Sequence, residues 1–232
     1  MQLYIGNKNY SSWSMRPWVL MREFGIPFDE VMLRFDGFDS GSRFKREVAL
    51  ISPVGKVPVL VDGDLVVWDT LAIAEYLADK YVADKFPERA LWPRDAKARA
   101  RARSVCAEMH SGFGALRSAC PQNIEAALPE VGARVIAEQG AVRADLARLD
   151  ALWSEALATS GGPFLFGAYC IADAYFAPVA GRVHTYALPV SAPVQSYLER
   201  LWASSGVAAW VKEALAEKEY LDFEEPYRTK RA

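Results

Sequence analysis

The runs VPVLV (57–61) and LVVW (65–68) flank Asp62-Gly63-Asp64. An Asp-Gly step between two β-branched runs is a strong signal for a tight antiparallel hairpin, since glycine supplies the positive φ that such a turn needs. Upstream, LYIG (3–6) and FDEVMLR (28–34) read as two further strands. Between them, residues 14–24 read as a helix closed by Gly25, with Pro17 tolerable because first-turn amides have no intrahelical acceptor. A polar helix over 42–50 follows the second strand, and one over 70–80 follows the hairpin. The predicted order is β-α-β-α-β-β-α, an α/β unit.

Beyond residue 80 the pattern changes. YVADKFPERALWPRD carries two prolines and mixed charge without periodicity, and nearly everything after it reads as helix. The expected organisation is therefore an α/β domain over 1–80, a linker over 81–92 and an all-helical domain over 93–232. Val105, Met109, Phe113 and Leu116 fall on one apolar face, which predicts a long helix over 94–120 ending before Pro121. Further helices are predicted over 129–159, 171–186, 192–203 and 206–218. The tail EEPYRTKRA reads as frayed or as packed coil.

Composition narrows the function. Lys and Arg number 27 against 29 Asp and Glu, a net charge of −2, so no global field would draw the chain to nucleic acid or to an anionic membrane. The alternating Lys97, Arg99, Arg101 and Arg103 spread around a helix and read as a solvated face. Cys106, Cys120 and Cys170 are odd in number and lack CxxC or finger spacing, which suits a reducing compartment. A Cys106/His110 metal pair lacks further ligands, so no metal is expected. No apolar run reaches transmembrane length and no basic-then-apolar leader opens the chain, so a cytoplasmic location is expected.

Three segments could carry chemistry, each with a plainer reading beside it. In NYSSWSMRPW (9–18), Ser11 and Ser12 precede a helix whose free amides favour an anion. They could donate to a thiolate, or simply cap the helix. Val57-Pro58 opens a strand; a cis bond there would turn the Val57 backbone toward a ligand, whereas an ordinary trans proline is the commoner state. Asp69-Thr70 could hold an amino-acid head group through carboxylate, hydroxyl and helix amides, or be a plain N-cap.

In this order and spacing, the three segments resemble the glutathione-binding domain of the glutathione S-transferase superfamily. SSWSMR is similar to the SSCSxR loop of its zeta-class, maleylacetoacetate isomerase-like members. GKVPVL resembles the turn with the family's cis-proline, WDTLAIAEYL its (E/Q)S-x-AI-x-x-YL segment, and FLFGAYCIADAYFAP its capping-box helix. EMHSGFGALR (108–117) is similar to a bacterial subgroup of the family. The resemblance implies a thioredoxin-like N-terminal domain plus an all-α C-terminal domain, with glutathione as co-substrate and a homodimeric assembly.

It further implies Ser11 as the hydroxyl on the glutathione sulfur, with Ser12 as fallback. Val57 and Pro58 would hold the cysteinyl backbone, Asp69 and Thr70 the γ-glutamyl head, and Lys56 the glycyl carboxylate. Trp13 stands where the zeta loop has cysteine, which weakens the isomerase reading and makes Trp13 a wall of the electrophile pocket. Met109, Phe113 and Arg117 are further candidates for that pocket, or else a packing stripe. Cys170 stands where the capping box has Ser or Thr, with Asp173 still able to accept from its amide. Serine-assisted transfer of glutathione to a small electrophile is the expected activity. A maleylacetoacetate-type isomerase and a non-catalytic glutathione-fold module are the alternatives.

Overall fold

The computed structural model describes residues 1–84 and 90–230; residues 85–89 of the expected linker, and the last two of the tail, lie outside the described residues. The first half runs β1 (Gln2–Ile5), α1 (Ser12–Phe24), β2 (Asp29–Met32), α2 (Arg43–Ala49), β3 (Val59–Asp62), β4 (Leu65–Trp68) and α3 (Thr70–Asp84). The sheet order is β2-β1-β3-β4, with β1 parallel to β2 and antiparallel to β3. The expected hairpin pairs Val59 with Trp68 and Asp62 with Leu65, and Gly63 takes the positive φ of 64°.

Helix α1 starts two residues earlier than expected, capped by Ser11. Pro17 therefore sits in its second turn, where the proline ring leaves the Trp13 carbonyl without its helical donor. The αL residue Gly25 closes the helix as expected. Met15, Trp18, Val19 and Met21 are fully buried, and α1 packs against α3 of its own half and against two helices of the second.

The second half is helical: α4 (Ala96–Ser111), α5 (Gly114–Ala119), α6 (Pro129–Glu138), α7 (Gly140–Ser160), α8 (Ile171–Tyr186), α9 (Ala192–Trp202) and α10 (Ser205–Glu217), then a 3-10 turn at Asp222–Glu224. Helix α8 is apolar on nearly every side and is buried along its length, the central post on which α1, α4, α6 and α9 pack. One continuous core holds Leu3 and Leu60 of the sheet together with Trp153, Phe176 and Trp210 of the helices. Leu91 and Trp92, at the end of the expected linker, are buried in it, and Leu91 accepts a hydrogen bond from the Ile171 amide at 2.9 Å.

Two helix expectations require correction. The helix predicted over 94–120 is broken: Gly112 is extended at φ −104° and ψ −167°, and Phe113 turns left-handed at φ 57° before α5 begins. The apolar spacing continued across the break because both pieces bury the same side. The helix predicted over 129–159 likewise divides where Gln139 becomes extended. The tail is packed rather than frayed: Tyr227 and Tyr220 donate to the carbonyls of Ala119 and Arg228.

Candidate active site

The loop that presents the serines is held by its first three residues. Asn7 Oδ1 accepts from the Phe35 amide at 2.7 Å, and the Asn7 carbonyl accepts from the amides of Tyr10 and Ser11. The Lys8 amide donates to Glu217 at 2.7 Å and the Lys8 carbonyl accepts from Trp210 Nε1 at 3.0 Å, both on α10. Asn9 exchanges side-chain hydrogen bonds with Asn123 and the Glu125 amide. The helical half thus fixes the path of the chain into α1.

Ser11 is buried and caps α1, its Oγ accepting from the Ser14 amide at 3.4 Å and donating to Ser14 Oγ at 2.7 Å. Ser14 Oγ also accepts from the Gly6 amide at 3.1 Å. Ser12 is half-buried. Hydroxyl hydrogens rotate freely, so the Ser11–Ser14 bond can reverse: Ser14 then donates to Ser11, and the Ser11 proton is released toward the cavity.

A cavity of about 500 Å³ brings together seven of the residues singled out in the sequence: Trp13, Lys56, Val57, Pro58, Asp69, Thr70 and Arg117. Val54, Trp68 and His110 complete its wall. The Val57–Pro58 bond is cis, against the commoner trans state. Asp69 is left-handed at φ 72°, and its Oδ1 accepts from the Leu71 amide at 2.8 Å as α3 begins. A polar chain runs behind it: His110 Nε2 lies 3.4 Å from Asp69 Oδ2, His110 Nδ1 lies 2.7 Å from the Tyr175 hydroxyl, and that hydroxyl lies 2.7 Å from Thr70 Oγ1. Burial pushes Tyr175 up to about 12, so it stays a hydroxyl that can donate.

Sequence reasoning left Tyr175 and Arg16 without a role. Arg16 is buried with its guanidinium 4.1 Å from the Trp13 ring and 4.4 Å from the Tyr175 ring, and its Nε and Nη1 have no hydrogen-bond partner among the described residues. Burial lowers it to about 10, which leaves it cationic at neutral pH. Arg117 lies 4.9 Å from the same indole. Trp13 is therefore braced by two guanidinium groups through cation–π contact. The i,i+3 step from Trp13 to Arg16 on α1 is the signal that could have paired them.

A second cavity, of about 340 Å³, shares Trp13, Lys56 and Val57 with the first as lining. Ser11 and Ser12 lie here, opposite Phe35, Phe38 and Phe44, with Lys45 and Glu224 at its edge. The aromatic rings meet edge to face, Phe35 and Phe44 at 4.8 Å. Met109 and Phe113 line neither cavity. Both are buried in the core, Phe113 because the left-handed turn at its own backbone directs it inward. A larger cavity of about 620 Å³ between α8 and α9, lined by His184 and Trp202, contains none of the singled-out residues.

Other chemistry has little to work with. Cys106, Cys120 and Cys170 are free and buried, and burial pushes their thiols up, Cys120 to about 11, so they are poor nucleophiles. Among the described residues no cluster of three or more His, Cys, Asp or Glu could hold a metal, and no helix is long and apolar enough to cross a membrane.

Residues 10–80 match the family model described as the glutathione S-transferase N-terminal domain. The full architecture, an α/β domain followed by an all-α domain, is that of the same superfamily. Residues 10–80 form a glutathione S-transferase N-terminal domain. The chain is 36% identical over 103 residues to mouse glutathione S-transferase theta-3, a match covering 44% of this chain and 39% of that protein, so the chain spans about two-fifths of the length of the curated relatives it matches. The structural likeness reaches further. A glutathione transferase homologue from Burkholderia with bound glutathione superposes at a TM-score of 0.64 with 27% identity, covering 94% of this chain and 98% of that one. A maleylacetoacetate isomerase from Methylobacterium extorquens with bound malonate and glutathione superposes at 0.62 with 25% identity, covering 90% and 95%.

Proposed function

We propose that this chain binds glutathione in the cavity of about 500 Å³ lined by Val57, Asp69 and Thr70 and transfers it, through its sulfur, to a small electrophile seated in the aromatic one. The observation that carries the reading is convergence: the serine loop, the Lys56-Val57-Pro58 turn and the Asp69-Thr70 helix start, far apart in sequence, meet around two cavities that share Trp13, Lys56 and Val57. Charge supports the ligand's class. Glutathione has two carboxylates and one ammonium, and the Asp69 cavity offers Lys56, Arg117 and the buried Arg16 behind Trp13 against a single carboxylate, Asp69 itself. Asp69 and the Thr70 helix start take the γ-glutamyl head, Val57 the cysteinyl backbone and Lys56 the glycyl end.

That placement directs the sulfur toward the N-terminus of α1. A free thiol ionises near ~8.5, and a hydroxyl donated to the sulfur together with the helix dipole favours the thiolate. Ser11 supplies the hydroxyl once its bond to Ser14 reverses; Ser12, on the same wall, is the competing donor. Holding the thiolate beside Ser11, at the mouth of the cavity that seats the electrophile, adds the advantage of fixed proximity. The SSWSMR loop favours a zeta-type subgroup, but the indole of Trp13 fills the position of that loop's cysteine, so conjugation is a better fit than isomerisation of maleylacetoacetate. The superfamily resemblance also supports a homodimer, which light scattering would test.

The test is ultraviolet titration of glutathione bound to the protein, alongside conjugation of chlorodinitrobenzene, for wild type and for Ser11→Ala and Ser12→Ala. A lowered thiol pKa and turnover, both lost in Ser11→Ala, are expected. Binding with an unshifted thiol and no turnover would mean a non-catalytic binding module. Loss in Ser12→Ala alone would move the role to Ser12.

A further inference from the structure

Two neighbouring glutamates at the C-terminal 3-10 turn have opposite environments. The Glu225 carboxylate is buried and fully engaged: it accepts from the Tyr10 hydroxyl at 2.7 Å, from Asn123 Nδ2 at 2.9 Å and from Arg228 Nε at 2.8 Å. Although burial opposes its charge, those donors hold it below the usual carboxylate range. The Glu224 carboxyl has no hydrogen-bond or ion-pair partner among the described residues, and Glu224 lines the aromatic cavity that also holds Ser11 and Ser12. Burial, then the charge of Glu225 beside it, pushes Glu224 up to about 7. Carboxyl groups driven apart in this way mark one as fixed charge and the other as a proton carrier.

The turn is held in place on both sides. The Leu221 amide donates to the Tyr10 hydroxyl, and Phe223 meets Phe38 edge to face at 5.4 Å. The charged or titratable groups around the cavity are Lys45 from α2, Lys56 from the turn before β3, Tyr10 from the β1–α1 loop, and Glu225 with Arg228 on the C-terminal segment itself. Lys45 is engaged with the Gly55 carbonyl at 2.8 Å.

We propose that Glu224 is a catalytic acid of the aromatic cavity, and that addition of glutathione to apolar α,β-unsaturated carbonyl compounds is the reaction of this chain that depends on it. The proposal rests on the glutathione-transfer reading above and deepens it. The glutathione sulfur forms a bond to the β-carbon, the pair of the carbon–carbon double bond moves to the enolate, and the Glu224 carboxyl proton passes to the α-carbon. The carboxylate so formed recovers a proton from the thiol of the next glutathione, so the sum is one glutathione and one acceptor giving one adduct. Displacement of chloride from an aryl halide needs no such proton. The two reactions therefore depend differently on Glu224.

The experiment measures kcat/KM for benzylideneacetone and for chlorodinitrobenzene in wild type and Glu224→Gln, and reads their ratio within each protein. The ratio is expected to fall at least about tenfold in Glu224→Gln, as for loss of a general acid. In wild type it should also fall about eightfold from pH 6.5 to pH 8, following protonation of a group near 7, and lose that slope in the variant. A partly unfolded variant lowers both reactions and leaves the ratio readable, and the wild-type pH profile needs no variant. An unchanged ratio, or a flat wild-type profile, overturns the proposal. Absence of both reactions in wild type overturns the transfer reading itself and the proposal with it.

Discussion

Ser14 shows how one hydroxyl can serve structure and chemistry together. It is fully buried, accepts from the Gly6 amide, and shares a hydrogen bond with Ser11. Ser14→Ala leaves a buried amide without an acceptor, a cost of about 1–3 kcal/mol, which denaturant unfolding would register. It also removes the hydroxyl that, once the bond reverses, donates to Ser11 Oγ and so polarises and orients its O–H toward the sulfur. The bound glutathione thiol should then ionise at higher pH with glutathione affinity little changed, a split that a purely structural serine would not produce. At this scale the sequence was informative where a motif was local. Ser11, Lys56, Val57, Asp69 and Thr70 all reach the cavities, and each is named by a run of a few residues. Arg16, Tyr175 and Glu224 were not legible, because their roles depend on burial against segments far away in the chain.

Among elements, α8 carries the sharpest test. Asp173 is buried at its start, and its carboxylate accepts from the Cys170 amide at 2.9 Å, the Leu165 amide at 3.2 Å and the Tyr197 hydroxyl at 3.1 Å. Asp173→Ala strands three buried donors and should cost at least about 3 kcal/mol. Burial outweighs those bonds and raises Asp173 to about 6. A carboxyl raised in the folded state stabilises the fold fully below its unfolded value of ~3.9 and loses that contribution as pH rises through the folded one. Wild-type stability relative to Asp173→Asn should therefore decline between about pH 4 and pH 6.

Helix contacts make a second test, since Gly206 lets α10 lie against α1. A Cβ there would fall 2.4 Å from the Val19 carbonyl oxygen. Gly206→Ala should lower Tm by an amount corresponding to about 1–3 kcal/mol of overpacking and weaken glutathione binding, because α10 also holds the backbone of Lys8. Elements were legible in the α/β half, where hairpin and cap signals are local. They blurred at Gly112 and Gln139, where apolar spacing ran on through a change in backbone direction.

On the scale of the whole molecule, a buried lysine joins the halves. Lys8 Nζ bonds Glu30 of β2 and Glu213 of α10, and lies 5.0 Å from the ring of Trp18 and 5.8 Å from that of Trp210. The alternating strand and helix pattern foretold two domains, yet nothing local to Asn7-Lys8-Asn9 marked it as the joint, since its partners come from β2, α10 and the segment before α6. Lys8→Met keeps the apolar stem and removes the charge, leaving Glu30 and Glu213 facing each other without their cation. Breaking a buried pair in this way costs roughly 3–5 kcal/mol. Glu213 is 43% exposed and can turn to water, so the low end, about 3 kcal/mol, is expected. Because Lys8 and Glu30 are largely shielded, the part of the deficit that comes from their pair should persist at high salt in chemical denaturation, unlike that of a surface pair. The loop to Ser11 would lose one of its anchors, so KM for glutathione should rise along with the fall in stability. Wild-type KM together with a 3 kcal/mol loss would mean that the helical half stabilises the serine loop without positioning it.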